Sequence, residues 1–357
     1  MSKEASALGE FELIRRFFMR DGRGRGGAPD GAPPAGAPPA ADSGVILGIG
    51  DDAAVLALPP DTELIAAVDT LVAGRHFPPG TDAHSIGHRA LAVNLSDLAA
   101  MGATPAWATL ALTLPSADAA WVERFSAGLL ELADEYGVAL VGGDTTQGPL
   151  CVSVQVLGHV PRGTALRRDS AREGDLLAVT GTLGDAGAGL AFATAPPPAA
   201  PPTAKFRDAA AELMRRFDYP TPRVRFGLAA RGIASAAMDL SDSLVGDLPK
   251  LAQASSLAAH VAVERLPLSD AMRAAASLAQ ARDWALAAGD DYELLLAVPP
   301  ARRAELEAAA SRLNLRLTVV GELRSGSGVT WSLDGRDFLP ASGGYDHFAQ
   351  ASTQITV

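Results

Sequence analysis

The sequence predicts a mixed α/β (α+β) protein built from two domains. Short apolar segments typical of strands alternate with longer segments whose apolar residues recur at helical spacing. This alternation runs to Pro161 and then starts again. The chain of 357 residues also exceeds the ~250–300 residues at which single hydrophobic cores tend to divide. We therefore expect an N-terminal domain over residues 1–161 and a C-terminal domain over residues 162–357.

The N-terminal half is predicted to contain several strands and two long helices. Apolar or alternating segments predict strands at residues 45–49, 54–58, 64–68, 107–114, 138–141 and 152–160. The first helix is predicted over residues 84–101, where Asn94 and Asp97 share one face. The second follows Ser116, whose hydroxyl can cap it, and stops at Gly137. We interpret the apolar stripe of this second helix as core.

The C-terminal half shows the same kind of pattern. Strands are predicted at residues 176–180, 238–240, 293–298 and 315–323, with helices after Ser241 and over residues 301–313. A glycine-rich turn at residues 181–187 leads into a further helix. Such a turn can direct backbone N–H groups at a phosphate, but an ordinary tight turn explains it equally well.

Two segments have low complexity. Residues 21–44 consist largely of Gly, Ala and Pro, and residues 193–203 are rich in Ala and Pro. We expect a mobile loop and an insertion, because neither segment can bury enough surface to offset its chain entropy. The first segment also contains Gly22-x-Gly24-x-x-Gly27, the dinucleotide-binding pattern. No predicted strand precedes this pattern and no helix follows it, so we reject that interpretation.

Composition excludes several classes of partner. A net charge of −11 argues against a nucleic-acid partner, which would require a basic surface. No apolar stretch reaches the ~18–20 residues that span a membrane, and the N-terminus lacks the pattern of a signal peptide. The one cysteine, Cys151, lies at a predicted strand and cannot form an internal disulfide. We therefore expect a cytoplasmic protein with no membrane partner.

Aspartates recur within apolar or glycine-rich sequence. The five segments are Gly48–Ala53, Ala66–Thr70, Asn94–Leu98, Gly142–Thr146 and Met238–Asp242. Buried carboxylates need partners, yet no lysine lies in or beside any of these segments. Converging carboxylates without lysine partners predict divalent cations, and ligation by oxygen alone suits Mg²⁺. Taken singly, Asp51 and Asp52 fit a solvated turn equally well, and Asp97 fits a satisfied buried polar residue.

These segments, together with Asp291-Tyr292-Glu293-Leu294 and Gly344–Phe348, closely resemble the thiamine-monophosphate kinase family. The resemblance covers residues 9–20 and 45–350, and its most specific run is Asn94–Gly102. It implies the two-domain fold of aminoimidazole ribonucleotide synthetase, with the N-terminal sheets of a homodimer joined into a shared barrel. It also implies Mg²⁺-dependent, in-line transfer of the ATP γ-phosphoryl group to thiamine monophosphate. The product would be thiamine diphosphate, at the last step of its biosynthesis.

The resemblance also implies roles for individual residues. The N-terminal domain would bind ATP and Mg²⁺ and form the dimer, and the C-terminal domain would complete the ATP and substrate site. The implied Mg²⁺ ligands are Asp52, Asp69, Asp97, Asp144, Asp239 and Asp242, with the backbone carbonyl of Val68. The implied ATP contacts are Gly143, Asp144, Arg168 and Ser241, and the implied substrate contacts are His76, Asp290 and Tyr345. No side-chain base is required, because the acceptor is a phosphate oxygen that is already ionised.

The chain departs from the family pattern at three places. Ala67-Val68 stands where relatives often have Ser-Thr, so only backbone oxygens remain there as ligands. Ser243 replaces a glycine, and Asp290 replaces a glutamate whose side chain is one methylene longer. Asp290 could also simply cap the following strand.

Alternative functions are less compatible with the sequence. Selenophosphate synthetase would require a reactive cysteine or selenocysteine with a nearby N-terminal lysine, whereas Cys151 lies in mid-chain. The hydrogenase-maturation carbamoyl dehydratase would require a C-terminal cysteine, and aminoimidazole ribonucleotide synthetase matches the motifs less well. From another class, a catalytically silent nucleotide- or thiamine-binding protein would explain the departures above. The retention of every carboxylate argues against that class.

Overall fold

A computed structural model describes residues 10–19, 43–196 and 202–344. The chain forms two compact units. The first contains the residues up to Leu98 together with Thr104–Gly163, and the second contains Ala99–Ala103 together with the residues from Thr164 onward. Most of the loop predicted at residues 21–44, the middle of the insertion predicted at residues 193–203, and Tyr345 lie outside the described residues.

The first unit is built on a four-stranded sheet. Its strands are β3 (Thr62–Val72), β4 (Thr104–Leu114), β5 (Ala139–Gln147) and β6 (Cys151–Pro161), in the order β3-β6-β4-β5. Only the β4–β5 pair is parallel. A separate hairpin pairs β1 (Val45–Leu47) with β2 (Val55–Leu56). Helix α1 (Glu10–Leu13) continues into a π-helical turn, Ile14–Phe18.

Two long helices accompany this sheet. Helix α2 is Ala83–Ala100, and α3 is Ala119–Tyr136. They touch at Gly87 and Gly128, where a Cβ atom would collide with a backbone carbonyl of the opposite helix. Asp118 caps α3 through its side chain, so the cap predicted at Ser116 is wrong. The predicted stop at Gly137 is confirmed, because this residue takes the left-handed conformation that favours glycine.

The outer face of β3 remains apolar and exposed. Leu64, Val68 and Val72 alternate along the strand and are 48%, 61% and 38% exposed. Residues at this spacing point to one side of a strand. Among the described residues neither main sheet closes into a barrel, since each ends in two different edge strands.

The second unit contains a seven-stranded sheet in the order β13-β12-β9-β11-β7-β10-β8. The strands are β7 (Leu176–Thr180), β8 (Ala236–Leu240), β9 (Ala258–Ala262), β10 (Glu293–Val298), β11 (Leu317–Arg324), β12 (Gly328–Leu333) and β13 (Arg336–Phe338). The helices are α4 (Asp185–Thr194), α5 (Ala204–Asp218), α6 (Val224–Ala230), α7 (Leu244–Ala254), α8 (Asp270–Ala275), α9 (Leu278–Ala287) and α10 (Arg303–Arg312). Every residue of β8 and β10 is buried, which explains their nearly continuous apolar sequence.

A buried ionic cluster fixes one end of β10. The Glu293 carboxylate accepts hydrogen bonds from Arg216 at 2.9 Å, from Thr180 at 2.7 Å and from Arg223. Burial alone would raise the pKa of Glu293, but the charges and hydrogen bonds of the two arginines outweigh it and lower this pKa. Through these hydrogen bonds and ion pairs, the charged Glu293 side chain links β10 to β7 and to the α5–α6 region.

No helix in the described residues is long and apolar enough to cross a membrane.

Candidate functional site

Asp69 lies on β3 where a buried asparagine of α2 reaches the strand backbone. The Asn94 side-chain oxygen accepts a hydrogen bond from the Asp69 amide at 2.9 Å. Its nitrogen donates to the Ala90 carbonyl, also at 2.9 Å. Asp97, one helical turn further on, is only half-buried, whereas most of its neighbours on α2 are buried. The helix thus anchors the strand at the carboxylate and carries a second carboxylate beside the anchor.

Asp144 follows an irregularity in β5. Its pairing with β4 skips Val141, a bulge of the kind that redirects side chains near active sites. At Gly143 the φ angle is 151°, and a Cβ atom would collide with the Leu110 carbonyl. Only glycine fits there without displacing β4. Asp144 itself is exposed, at the point where the sequence predicted a ligand.

The strand register places Asp69 and Asp144 apart within this unit. Asp144 aligns with Ala111, Ala111 with Ser153, and Ser153 with Thr70, whose hydroxyl lies 2.7 Å from that of Ser153. Asp144 therefore shares the sheet face of Thr70, while Asp69 points to the opposite face. Their strands are the two edges of the sheet, about 14 Å apart at ordinary strand spacing. The convergence expected for these two carboxylates does not occur within one copy of this unit.

His76 is held against the end of β3. Its Nδ1 accepts a hydrogen bond from the Val72 amide at 3.0 Å, so in the neutral ring the proton is on Nε2. The Val72 amide thus points away from β6. The metal role of the Val68 carbonyl stays a prediction.

Asp52 lies in an exposed turn between β1 and β2, where its amide donates to the Asp51 carboxylate at 2.8 Å. Arg168 lies in a short 3₁₀ helix, Arg168–Ser170, and is exposed. Its carbonyl accepts a hydrogen bond from the Ser255 hydroxyl at 2.7 Å. Their metal and ATP roles stay predictions.

In the second unit the Asp239–Asp242 segment spans the end of β8 and the following turn. Asp239 is buried and pairs with Leu294 of β10. The turn is organised by Asp247 of α7, whose Oδ2 accepts hydrogen bonds from the amides of Ser241 at 3.0 Å and Asp242 at 2.8 Å. Burial raises the pKa of Asp247, and the neighbouring Lys250 partly offsets that effect.

A lysine contacts this segment, contrary to the sequence interpretation. Lys250 Nζ donates to Asp242 at 2.7 Å and to Asp247 at 2.8 Å. Partial burial would lower the pKa of Lys250, but its hydrogen bonds to both carboxylates raise it overall. The statement that these carboxylates have no lysine partner is therefore wrong for Asp242. The helix brings Lys250 back over a turn that lies eight residues earlier.

The Asp290 segment packs against the same turn. The Asp290 amide donates to the Ser241 carbonyl at 2.9 Å, and a Cβ atom at Gly289 would collide with that carbonyl oxygen. Asp290 has a φ of 68° and accepts a hydrogen bond from the Tyr292 hydroxyl at 3.2 Å. Two motifs about fifty residues apart in sequence thus meet here, as expected if they serve one ligand.

The glycine-rich turn before α4 binds an internal carboxylate. Asp291 accepts hydrogen bonds from the amides of Gly184 at 2.6 Å and Ala186 at 3.3 Å. Burial, followed by the charge of Asp185, raises the pKa of Asp291 well above its ordinary value. These two amides are committed to Asp291, so the possibility that they bind a phosphate is wrong. The ordinary-turn interpretation is the better one.

Ser243 explains why the family pattern has glycine at its position. It is buried with φ 86° and ψ 163°, a region that is otherwise almost confined to glycine. Its hydroxyl accepts a hydrogen bond from the Gly246 amide at 3.3 Å and so caps α7. Gly344, the residue before Tyr345, packs against Gly246 at the start of this helix.

The residues present fit Mg²⁺ chemically. The ligands predicted in the first unit are carboxylates and a backbone carbonyl, and a hard divalent cation prefers oxygen donors. Among the described residues, however, no three His, Cys, Asp or Glu side chains are grouped closely enough to hold a metal ion.

Sequence reasoning missed Asp247 and Lys250, although their spacing of three on a helix was a usable signal. It also missed the bond between Asn94 and Asp69, for which spacing gave no signal.

Two family models match the chain. The model described as AIR synthase related protein, N-terminal domain, matches residues 50–160. The model described as AIR synthase related protein, C-terminal domain, matches residues 172–333. The chain therefore has the mixed α/β, two-domain fold of AIR synthase related proteins.

Curated relatives match over almost their whole length. The thiamine-monophosphate kinase of Salmonella typhimurium is 44% identical over 344 residues, which cover 96% of this chain and 99% of the relative. The thiamine-monophosphate kinase of Bacillus subtilis is 34% identical over 320 residues, with 86% and 94% covered.

Solved structures agree with these relatives. The thiamine-monophosphate kinase of Stenotrophomonas maltophilia has a TM-score of 0.76 at 47% identity, over 83% of this chain and 92% of that chain. The structure described as AaThiL complexed with AMPPCP and TMP has a TM-score of 0.70 at 32% identity, over 84% and 92%. The hydrogenase maturation protein HypE in complex with ATP is 21% identical with a TM-score of 0.65, over 82% and 88%, and shares the fold alone.

Proposed function

Because the chain belongs to the thiamine-monophosphate kinase family, we propose that it transfers the ATP γ-phosphoryl group directly to thiamine monophosphate, with Mg²⁺. The products are thiamine diphosphate and ADP, at the last step of thiamine diphosphate biosynthesis. The observation that carries the proposal is the meeting of the Asp239–Asp242 and Asp290 segments through the Ser241 carbonyl. A related structure with AMPPCP and TMP supports both reactants.

The residues of each unit have distinct proposed roles. In the first unit, Asp52, Asp69, Asp97, Asp144 and the Val68 carbonyl ligate Mg²⁺, Gly143 and Asp144 contact ATP, and His76 binds the substrate. In the second unit, Asp239 and Asp242 ligate Mg²⁺, Arg168 and Ser241 contact ATP, and Asp290 and Tyr345 bind the substrate. When bound, the metal neutralises phosphate charge and orients the two polyanions.

The protein's own contribution is positioning. Asn94 fixes the backbone of Asp69, and the bulge and Gly143 direct Asp144. Asp247 fixes the amides of Ser241 and Asp242, and the Asp290 amide is tied to the same turn. Nδ1 of His76 accepts a hydrogen bond from the Val72 amide, so a neutral ring carries its proton on Nε2. The acceptor phosphate oxygen is ionised at neutral pH, so the transfer requires no side-chain base.

A homodimer completes the proposal. The exposed apolar row of Leu64, Val68 and Val72 is the kind of surface that a second copy would cover. Strands β3 and β5 are the two edge strands of the four-stranded sheet among the described residues. A barrel shared by two copies would bring the β5 edge of one beside the β3 edge of the other, which would shorten the separation between Asp144 and Asp69. The single cysteine fits a cytoplasmic location.

The test is to measure thiamine diphosphate formed from ATP, Mg²⁺ and thiamine monophosphate. Turnover should fall by at least ~100-fold in Asp144→Asn, because a neutral amide binds Mg²⁺ poorly. Asp134→Asn, on the surface of α3, is the matched control and should stay active. Normal turnover in a folded Asp144→Asn protein would contradict the metal assignment.

A further inference from the structure

The side chain of Lys250 bridges two carboxylates at the start of α7. Its Nζ lies 2.7 Å from Asp242 Oδ2 and 2.8 Å from Asp247 Oδ1. The Lys250 side chain is 46% exposed and that of Asp242 is 35% exposed, whereas that of Asp247 is 1% exposed. The Lys250 and Asp242 side chains are therefore both partly accessible to solvent, whereas that of Asp247 is not.

The two carboxylates do not play equivalent parts. Asp247 Oδ2 already accepts hydrogen bonds from the amides of Ser241 and Asp242, and its Oδ1 accepts a hydrogen bond from Lys250. Both oxygens of Asp247 are thus occupied by protein donors. The Asp242 carboxylate receives Lys250 on Oδ2, and it is the more exposed member of the pair. A divalent cation approaching this turn from solvent would meet Asp242 first.

A cation bound by Asp242 would lie close to a fixed positive charge. Mg²⁺ binds carboxylate oxygen at about 2.1 Å, and Lys250 Nζ lies 2.7 Å from Oδ2 of the same carboxylate. Repulsion at such short range weakens metal binding even near a protein surface. The phosphates of a nucleoside triphosphate carry several negative charges and metal ligands of their own, so they would offset the ammonium group.

We propose that Lys250 is a built-in counter-ion of Asp242, which keeps a divalent cation from this carboxylate until a nucleoside triphosphate arrives with it. The inference rests on the proposed function in one respect, that Asp242 is a metal ligand. It adds an order to binding, because metal joins Asp242 together with nucleotide. Lys250 acts through Asp242 and is a positioning residue.

A purely structural role for Lys250 predicts a different result. If Lys250 only held the turn in shape, its removal would loosen Asp242 and leave metal affinity unchanged or lower. If Lys250 opposes the metal, its removal raises affinity in the free protein. Lys250→Arg keeps the positive charge and should behave like the unaltered protein under the counter-ion proposal.

The experiment measures Mn²⁺ binding to the full chain, from the electron paramagnetic resonance signal of free Mn²⁺, without nucleotide and with AMPPCP. The variants are Lys250→Met, Lys250→Arg, Asp242→Asn and the double variant Asp242→Asn/Lys250→Met. Without nucleotide, Lys250→Met should bind one Mn²⁺ about tenfold more tightly than the unaltered protein. With AMPPCP the difference should shrink to about twofold or less, since the triphosphate screens the ammonium charge. The gain should vanish in the double variant.

Unchanged or weaker Mn²⁺ binding by Lys250→Met would overturn the proposal, as would a gain that survives in the double variant. Lys250→Gln repeats the test if the methionine variant does not fold. The readout is independent of catalysis. Failure of the proposed function would appear instead as no thiamine diphosphate formation by the unaltered protein, with Mn²⁺ binding still measurable.

Discussion

Asn94 holds the backbone of Asp69, because its side-chain oxygen accepts a hydrogen bond from the Asp69 amide at 2.9 Å. Its side-chain nitrogen donates a hydrogen bond to the Ala90 carbonyl within the same helix. Asn94 is fully buried, so both of its polar atoms are satisfied by protein groups. The position of a predicted metal ligand on β3 therefore depends on one side chain of α2.

The first prediction concerns this contact. Asn94→Ala leaves the half-buried Asp69 amide without that partner and should lower the free energy of unfolding by about 1–3 kcal/mol. It should also reduce kcat, because the backbone at Asp69 is no longer fixed. Leu91→Ala on the same helix is the control, since it opens a core cavity costing about 2–5 kcal/mol but leaves the Asp69 contact intact. Both would be assayed at a temperature at which each is folded. Equal kcat values for the two variants would refute a positioning role for Asn94.

The second prediction concerns the strained cap of α7. Ser243→Gly should raise the free energy of unfolding by about 1 kcal/mol, because relief of a conformation costing about 1–3 kcal/mol outweighs the loss of a cap. Ser277 caps α9 at an ordinary φ of −64°, so Ser277→Gly should instead lower stability by a few tenths of a kcal/mol. Urea denaturation of the two variants measures these opposite signs. A loss of stability in Ser243→Gly would show that its hydroxyl matters more than its backbone.

The third prediction concerns Glu293. Glu293→Gln leaves Arg216 and Arg223 without their buried counter-ion and should lower the free energy of unfolding by about 3–5 kcal/mol at neutral pH. Glu305→Gln, which breaks an exposed pair with Arg302, should have little effect. The pKa of Glu293 is lowered in the folded protein, so its stabilising charge is present above about pH 4.3 and is lost as pH falls through the lower folded value. The penalty of Glu293→Gln should therefore shrink only in strong acid.

The fourth prediction concerns Asp291, whose effect on stability should change with pH in the direction opposite to that of Glu293. The pKa of Asp291 is raised in the folded protein. Its contribution to the free energy of unfolding is therefore present below about pH 3.9 and is lost as pH rises through the folded pKa. Asp291→Asn keeps an acceptor for the Gly184 amide and cannot ionise. Relative to the unaltered protein, this variant should gain stability as pH rises above about 4. A stability difference that does not vary with pH would mean that Asp291 titrates normally.

The fifth prediction concerns substrate binding. Asparagine tolerates the φ of 68° at this position as aspartate does, and Asp290→Asn removes only the charge. The free energy of unfolding should therefore change little. If Asp290 binds the substrate, KM for thiamine monophosphate should change severalfold while KM for ATP does not. Asp270→Asn, in the first turn of α8, is the control and should change neither constant. An equal change in both KM values would favour the alternative that Asp290 only supports the following strand.

The sequence predicted the elements that carry strong local signals. Strands β7 and β10 coincide with the predicted residues, because both are apolar and bounded by turn residues. Helix α5 was missed although Ala209, Leu213 and Phe217 are buried at helical spacing, since it follows the Ala- and Pro-rich segment. Strand β3 runs four residues past its predicted end. The prediction stopped early because Asp69 and Thr70 are residues typical of a loop, whereas in the structure they pair with β6.

The sequence named candidate site residues but not the contacts between them. The motifs located the Asp239–Asp242 and Asp290 segments, and their meeting at Ser241 agrees with that reading. The contact of Asp291 with Gly184 joins residues 107 apart, and no local pattern encodes such a pairing. Lys250 reaches Asp242 only because a turn folds back on α7, and simple sequence adjacency had suggested that no lysine was near.

The proposed reaction can be tested by following the γ-phosphoryl group itself. The protein would be incubated with γ-labelled ATP and Mg²⁺, once with thiamine monophosphate and once with thiamine. Labelled thiamine diphosphate should form from the first acceptor, with little product from the second and no label on the protein, because an ionised phosphate oxygen is the nucleophile. Comparable product from free thiamine, or label retained on an aspartate or histidine, would contradict the proposed reaction.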